Sequence, residues 1–221
     1  MSASEMEIRE SMTRLALSLF DRGYAVGGAG NLSARLPDGN ILVTPTNSCM
    51  GRLSPERLSK ISPQGELLAG DAPSKEVPFH AALYRAAPDC GAIAHLHSTY
   101  LTALSCLDGL DPEDVMRPFT PYYVMKVGRL VRIPYYRPGS PDIARSLEAR
   151  IGDSRAFLMA NHGSVVAGRD IVDAVNNAEE LEETAKLFFI LHGHSIRYLS
   201  AGDIAELGGK PKAERNAVAT A

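Results

Sequence analysis

The sequence predicts one α/β domain. Helix-period and strand-length apolar segments alternate along its 221 residues. No internal repeat and no linker of proline, glycine or serine divides the chain. A composition of 45% hydrophobic and 22% charged residues is an ordinary globular mix, able to bury a core without covalent staples.

The elements follow in order. Ser4 and Glu7 have capping-box spacing, and Ile8, Met12, Leu15 and Leu19 recur on one helical face until Gly23. After a glycine-rich run, Leu32, Ala34 and Leu36 alternate as in a strand, and Pro37-Asp38-Gly39 turns into a second strand at Ile41 to Val43. Ser54-Pro55 opens a short helix, and Gln64-Gly65 turns a small hairpin. A helix is expected from near Ser74 through Phe79, Leu83 and Ala87, placing Glu76 in its first turn. A strand at Gly91 to His97 and a helix from Ser98 to Leu107 come next. The stretch from Leu110 to Pro141 is rich in proline and tyrosine and yields only one or two strands, one at Gly128 to Pro134. A helix from Asp142 to Ile151 precedes strand segments between Ala156 and Val166, broken at Asn161-His162-Gly163. Asp170 or Asp173 opens a long helix with Val172, Val175, Leu181, Phe188 and Leu191 inward, stopped by Gly193. The domain is expected to end at 207, with a disordered tail from Gly208.

Charge and cysteine content narrow the function classes. Lys plus Arg total 23 against 26 Asp plus Glu, a formal net charge of -3, which argues against a nucleic-acid partner. Cys49, Cys90 and Cys106 have no CxxC or zinc-finger spacing and read as thiols in a reducing cytosol. No apolar run nears the roughly 20 residues of a membrane span, and no signal-peptide pattern opens the chain, so a cytoplasmic protein without a membrane partner is expected.

Histidine carries the chemistry. His95 and His97 lie two apart in a predicted strand, so both point to one face with Cα atoms about 6.6 Å apart. Two imidazoles so placed can meet one cation at about 2.0–2.1 Å each, although an isolated HxH is about as often just a pair of core or rim histidines on a strand. His162, beside Gly163 at a strand end, supplies a third donor and completes a zinc-type set with an open position. Glu76 is the candidate acid or base, its pKa raised by burial. His80, four residues later, can support the site. His192 and His194 end a helix and suit its dipole.

A second constellation fits an anion. The run Gly27 to Ser33 can present a nest of backbone N–H groups. No Gly-Lys-Ser/Thr follows, and the glycines precede a strand rather than a helix, so neither a Walker loop nor a dinucleotide fingerprint is present. Thr44 to Ser48 and Ser74-Lys75 add hydroxyl and amide donors and one cation. A small phosphorylated metabolite fits this equipment better than a nucleotide.

Taken together, the motifs GNLSAR (30–35), TPTN (44–47), PSKE (73–76), HLH (95–97) and ANHG (160–163) resemble the class II aldolase/adducin-like family over residues 5 to 207. The resemblance implies a three-layer α/β/α sandwich around a largely antiparallel sheet, and a homotetramer with sites at subunit interfaces. It implies a divalent metal, zinc above all, on His95, His97 and His162, with Glu76 as acid/base and sometimes a fourth ligand. It implies phosphate binding by Asn31, Thr46, Asn47, Ser74 and Lys75. Lys75 and Asn47 depart from the small residues of the sugar-phosphate aldolases. The PSKE form, with Gly51-Arg52-Leu53 after TPTN, looks more like the branch that decarboxylates 3-oxo-tetronate 4-phosphates in acid-sugar catabolism. A ketose-phosphate aldolase, epimerase or dehydratase on the same metal site is the alternative, and a non-catalytic interaction module ranks below both because every ligand is present. Pro134 to Ser140 resembles the family's tyrosine-bearing loop, with Tyr135 as proton donor and Tyr136, Tyr122 and Tyr123 as rivals.

Overall fold

Successive residues of the central strands point into two different hydrophobic cores, the pattern of a sheet covered on both faces. On one face Leu32, Ala34, Leu42, Ala92, Ala94, Leu96, Leu158 and Val166 are buried. On the other lie Ile41, Val43, Ile61, Ile93, Val131, Phe157, Met159 and Val165. These are features of a computed structural model that describes residues 3 to 209.

The strands are β1 (Asn31–Arg35), β2 (Ile41–Val43), β3 (Ser59–Ile61), β4 (Leu67–Ala69), β5 (Ala92–Leu96), β6 (Leu130–Ile133), β7 (Ala156–Met159) and β8 (Gly163–Gly168). They form one sheet in the order β4-β3-β2-β1-β5-β8-β7-β6. Only β6 and β7 run parallel among the described pairings. The sheet is therefore mixed and mostly antiparallel, as the motif resemblance implied.

The helices are α1 (Glu5–Asp21), α2 (Val77–Ala86), α3 (Thr99–Ser105), α4 (Pro121–Lys126), α5 (Pro141–Arg150), α6 (Ile171–Ile190) and α7 (Ala201–Glu206). Helices α2 and α5 pack together over one face of the sheet, through Phe79, Leu83, Ile143 and Leu147. Helices α1, α3, α4 and α6 cover the other through Met12, Leu19, Leu101, Tyr123, Val175 and Leu181. Burial of each such side chain contributes about 1.5–3 kcal/mol. The capping box on α1 is present as its spacing predicts, with Ser4 and Glu7 bonded reciprocally.

Four expectations need correction. Helix α2 starts at Val77, and Glu76 is its N-cap with φ −94° and ψ 1° rather than a first-turn residue. Ser74 intervenes: its hydroxyl takes the Glu76 N–H at 3.2 Å and its carbonyl takes that of Val77. Helix α4 lies inside the stretch read only as strands, and α7 was not expected. Val172, read as inward, is 45% exposed because it falls on the outer flank of α6 between buried Ile171 and Ala174. Cys106 is exposed, whereas Cys49 and Cys90 are buried. Of the expected tail, Gly208 and Gly209 close α7 by bonding Ala205 and Ile204, and residues 210–221 lie outside the described ones. No described helix is long and apolar enough to cross a membrane.

Candidate metal and active site

The end of β5 and the neighbouring β7–β8 turn bring the histidines together. His95 sits inside β5 on the α2/α5 face of the sheet, and His97 follows the strand's last residue. β5 pairs with β8, and the β7–β8 turn carries His162 past the end of β5. That turn is tight. Asn161 adopts φ +55°, and the His162 N–H bonds both the Met159 carbonyl and the Ser105 hydroxyl. A glycine is required on the other side of β5 as well. Gly30 has φ +78°, and a Cβ there would stand 2.7 Å from the His95 carbonyl oxygen. The glycine of GNLSAR is thus what lets β1 lie against β5 in the register that sets Asn31 opposite His95.

The nitrogen donors of His95, His97 and His162 all lie within 4.8 Å of one another. The Nε2 atoms of His95 and His97 are 2.9 Å apart. The three rings meet pairwise edge to face. His95 is fully buried, and its Nδ1 lies 2.8 Å from the Ser164 carbonyl, an oxygen that only accepts. Nδ1 therefore carries the proton and the Nε2 lone pair faces the cluster, as a metal ligand requires. Burial, with the charges of His95 and His162, brings His97 down to about 4, and burial with the charge of His95 also lowers His162. Neutral imidazoles with converging lone pairs suit a divalent cation such as zinc.

Glu76 closes the group. Its Oε2 lies 3.2 Å from His95 Nε2 and accepts the Asn31 amide N–H at 2.6 Å, while Oε1 lies 3.6 Å from His162 Nε2. Its position as N-cap, outside the helix, turns the side chain toward β1 and β5 instead of along α2. Burial raises its pKa, as the sequence reading expected, but the positive charge His95 carries whenever it is protonated, together with the hydrogen bond from Asn31, outweighs it. The net effect is a carboxyl held well below the ordinary range.

The expected phosphate residues gather beside this centre. A bridge between Pro45 and Pro73 joins the TPTN and PSKE loops, and the Thr46 N–H bonds the Ala72 carbonyl. Gly28 approaches the Ser48 carbonyl from the glycine-rich loop. Asn47 is exposed with φ +55°, Thr46 and Ser74 are half-buried, and Lys75 is exposed beside a narrow cleft shared with Glu76, Gly139 and Ser140. Asn31 differs from these, being buried with its amide engaged by Glu76 and by His80.

Among the tyrosines, Tyr135 is 60% exposed and its hydroxyl meets no partner among the described residues. Tyr122 is exposed on α4. Tyr136 packs against α5 and receives the Ser146 hydroxyl, and Tyr123 is buried in the core on the opposite face of the sheet from Glu76. His192 and His194 are exposed after the end of α6. His80 is wholly buried and bonds Ser33 and Asn31; burial and the charge of His95 bring it down to about 3. Sequence reasoning missed Ser33 and Tyr84, which bond to His80 and to each other. The signal was available: Asn31 and Ser33 share a strand face, and His80 and Tyr84 share a helix face.

Residues 10–189 match the family model for the class II aldolase and adducin N-terminal domain. The chain belongs to that family. It is 62% identical over 203 residues to the 3-oxo-tetronate 4-phosphate decarboxylase of Escherichia coli strain K12, covering 92% of this chain and 96% of that one. The crystal structure of YgbL from Escherichia coli superposes with a TM-score of 0.90 at 60% identity, over 92% of this chain and 98% of that one. At greater distance, the L-fuculose phosphate aldolase of Methanococcus maripaludis strain C7 is 36% identical over 175 residues, 79% of this chain and 92% of that one. Within the class II aldolase family, then, the chain lies much nearer to relatives named as decarboxylases than to those named as aldolases.

Proposed function

We propose that the protein is a metal-dependent 3-oxo-tetronate 4-phosphate decarboxylase, releasing CO2 and forming dihydroxyacetone phosphate. The observation that carries this reading is the complete His95–His97–His162 set with Glu76, in a chain 62% identical to a relative so named.

The substrate places a ketone at C3 beside the carbon that bears the carboxylate. When the C1–C2 bond breaks, its electron pair passes to the C3 oxygen as an enediolate and CO2 departs. A divalent metal held by His95, His97 and His162, zinc by preference, supplies when bound the positive charge that stabilises this developing oxyanion. Thr46, Asn47, Ser74 and Lys75 are assigned to the 4-phosphate, in the loops that the Pro45–Pro73 bridge joins. Asn31 reaches the same region from β1. Glu76 handles the proton: Oε1 is the oxygen left free by Asn31 and directs toward C2 the proton that completes the product. Tyr135 is assigned as the acid that supplies that proton. Its exposed loop suits a site completed by a neighbouring subunit in a cytoplasmic homotetramer.

The test is CO2 release from a 3-oxo-tetronate 4-phosphate by metal-replete protein. Decarboxylation with dihydroxyacetone phosphate as co-product supports the reading. An untouched acid, with aldehyde formed from a ketose phosphate, replaces it by the aldolase reading.

A further inference from the structure

Three polar side chains with no part in that reaction stand in a row behind Glu76. The Tyr84 hydroxyl is 2.8 Å from Ser33 Oγ, and Ser33 Oγ is 2.7 Å from His80 Nδ1. His80 Nε2 is 2.5 Å from Asn31 Oδ1, and Asn31 Nδ2 is 2.6 Å from Glu76 Oε2. Ser33 and His80 are wholly buried, and Tyr84 and Asn31 nearly so. Polar groups packed between α2 and the sheet are costly unless their bonds are complete, so this row is built rather than incidental.

The direction of every bond in the row follows from the orientation of Asn31. Its NH2 faces Glu76 Oε2 and its oxygen, which can only accept, faces His80 Nε2. His80 then donates through Nε2–H, and a neutral imidazole keeps Nδ1 as an acceptor. Ser33 donates to Nδ1 and in turn accepts the Tyr84 hydroxyl. The donors all point toward Glu76, an arrangement in which each bond polarises the next. The row is not a proton wire, because the amide of Asn31 interrupts it.

We propose that His80 is a positioning residue: backed by Ser33 and Tyr84, it locks Asn31 so that Glu76 Oε2 is always held and Oε1 alone remains to meet the substrate. The kinetic consequence rests on the decarboxylase reading, whereas the tautomer of His80 does not.

Both can be tested on the full-length protein. In 15N-histidine-labelled, zinc-loaded protein at neutral pH, one buried histidine should be protonated at Nε2 and bare at Nδ1, the reverse of His95. That signal should vanish in His80→Gln. A wild-type His80 protonated at Nδ1, or at both nitrogens, overturns the proposal whether or not the enzyme decarboxylates the acid-sugar phosphate. In the kinetic arm, His80→Leu should lower kcat by about 10- to 100-fold, with KM and bound zinc unchanged. His80→Gln, whose amide N–H can still face Asn31 Oδ1, should recover most of that loss. Unchanged kcat in folded, zinc-loaded His80→Leu overturns the positioning role. If that variant does not fold, Ser33→Ala decides. A mixed His80 tautomer with a several-fold lower kcat supports the lock, and an unchanged tautomer and kcat refute it.

Discussion

His95 and His97 hold their Nε2 atoms 2.9 Å apart, within hydrogen-bond distance of each other. Two ligands of one tetrahedral cation at about 2.05 Å would stand roughly 3.3 Å apart, so a small outward movement of His97 accommodates the ion. His95, pinned by the Ser164 carbonyl, is the fixed member of the pair.

Removal of either ligand should therefore abolish stoichiometric metal. His95→Ala and His97→Ala are expected to lose bound zinc, measured by elemental analysis after gel filtration. Their activity should drop by more than the ~100-fold typical of losing a supporting partner. Full occupancy and turnover in His95→Ala would remove this cluster from the mechanism.

Lys75 reaches the cleft beside Glu76 without touching the histidines. If it binds the phosphate, Lys75→Ala should raise KM about tenfold and leave kcat nearly intact, the signature of binding shared by ground and transition states. A pure kcat defect would move Lys75 into the chemical step.

Glu182 of α6 is buried and accepts the Ser98 hydroxyl and the Tyr100 and Leu101 N–H groups, capping α3 directly after the HLH motif. Glu182→Ala should cost about 2–3 kcal/mol by leaving these donors without a charged acceptor. Urea unfolding would show it as a lower midpoint with an unchanged slope, and an unaltered midpoint would contradict it.

The acid limb of stability has an identifiable source. Lys60 bridges Glu5 and Asp38, each at 2.8 Å. Hydrogen bonds from Lys60 lower the pKa of both carboxyls, Asp38 to about 2 with help from Asn40. Carboxyls depressed in the folded state contribute stability above their ordinary pKa near 4 and lose it as the pH falls toward 2. Lys60→Met should be less stable than the parent at pH 6, with the gap closing by pH 2 and narrowing in high salt. A gap independent of pH would refute this linkage.

Gly30→Ala should destabilise by about 1–3 kcal/mol, since its Cβ would meet the His95 carbonyl. Gly28→Ala, with its nearest neighbour at 3.5 Å and no positive φ, is the tolerated control. Equal melting temperatures for the two would show that β1 and β5 can shift apart.

The parts of this fold that could be read from sequence were those with long or regular patterns. The capped, periodic α1 and the period-two face of β5 identified themselves, and HLH with ANHG named the three clustered histidines. Helix α4 escaped because six residues carry no measurable period, although Thr120-Pro121 is a sound helix start. The start of α2 is marked by Pro78, which suits a helix's first turn, rather than by Ser74. The row from Tyr84 to Asn31 was hidden for a different reason. Its members come from β1 and α2, bonded across 47 to 51 residues of sequence, and only the packing of one on the other makes them neighbours.

The strand order also sets when the site comes into being as the chain folds. His95 and the Ser164 that pins it are 69 residues apart, and Asn31 pairs opposite His95 across another long gap. No hairpin assembled early contains more than one edge of the cluster. Contacts this distant in sequence form late and slowly, because the intervening loops must close first. A nascent or partly folded chain thus presents His95 and His97 without His162 and Glu76, so the full set of four side chains exists only in the native fold.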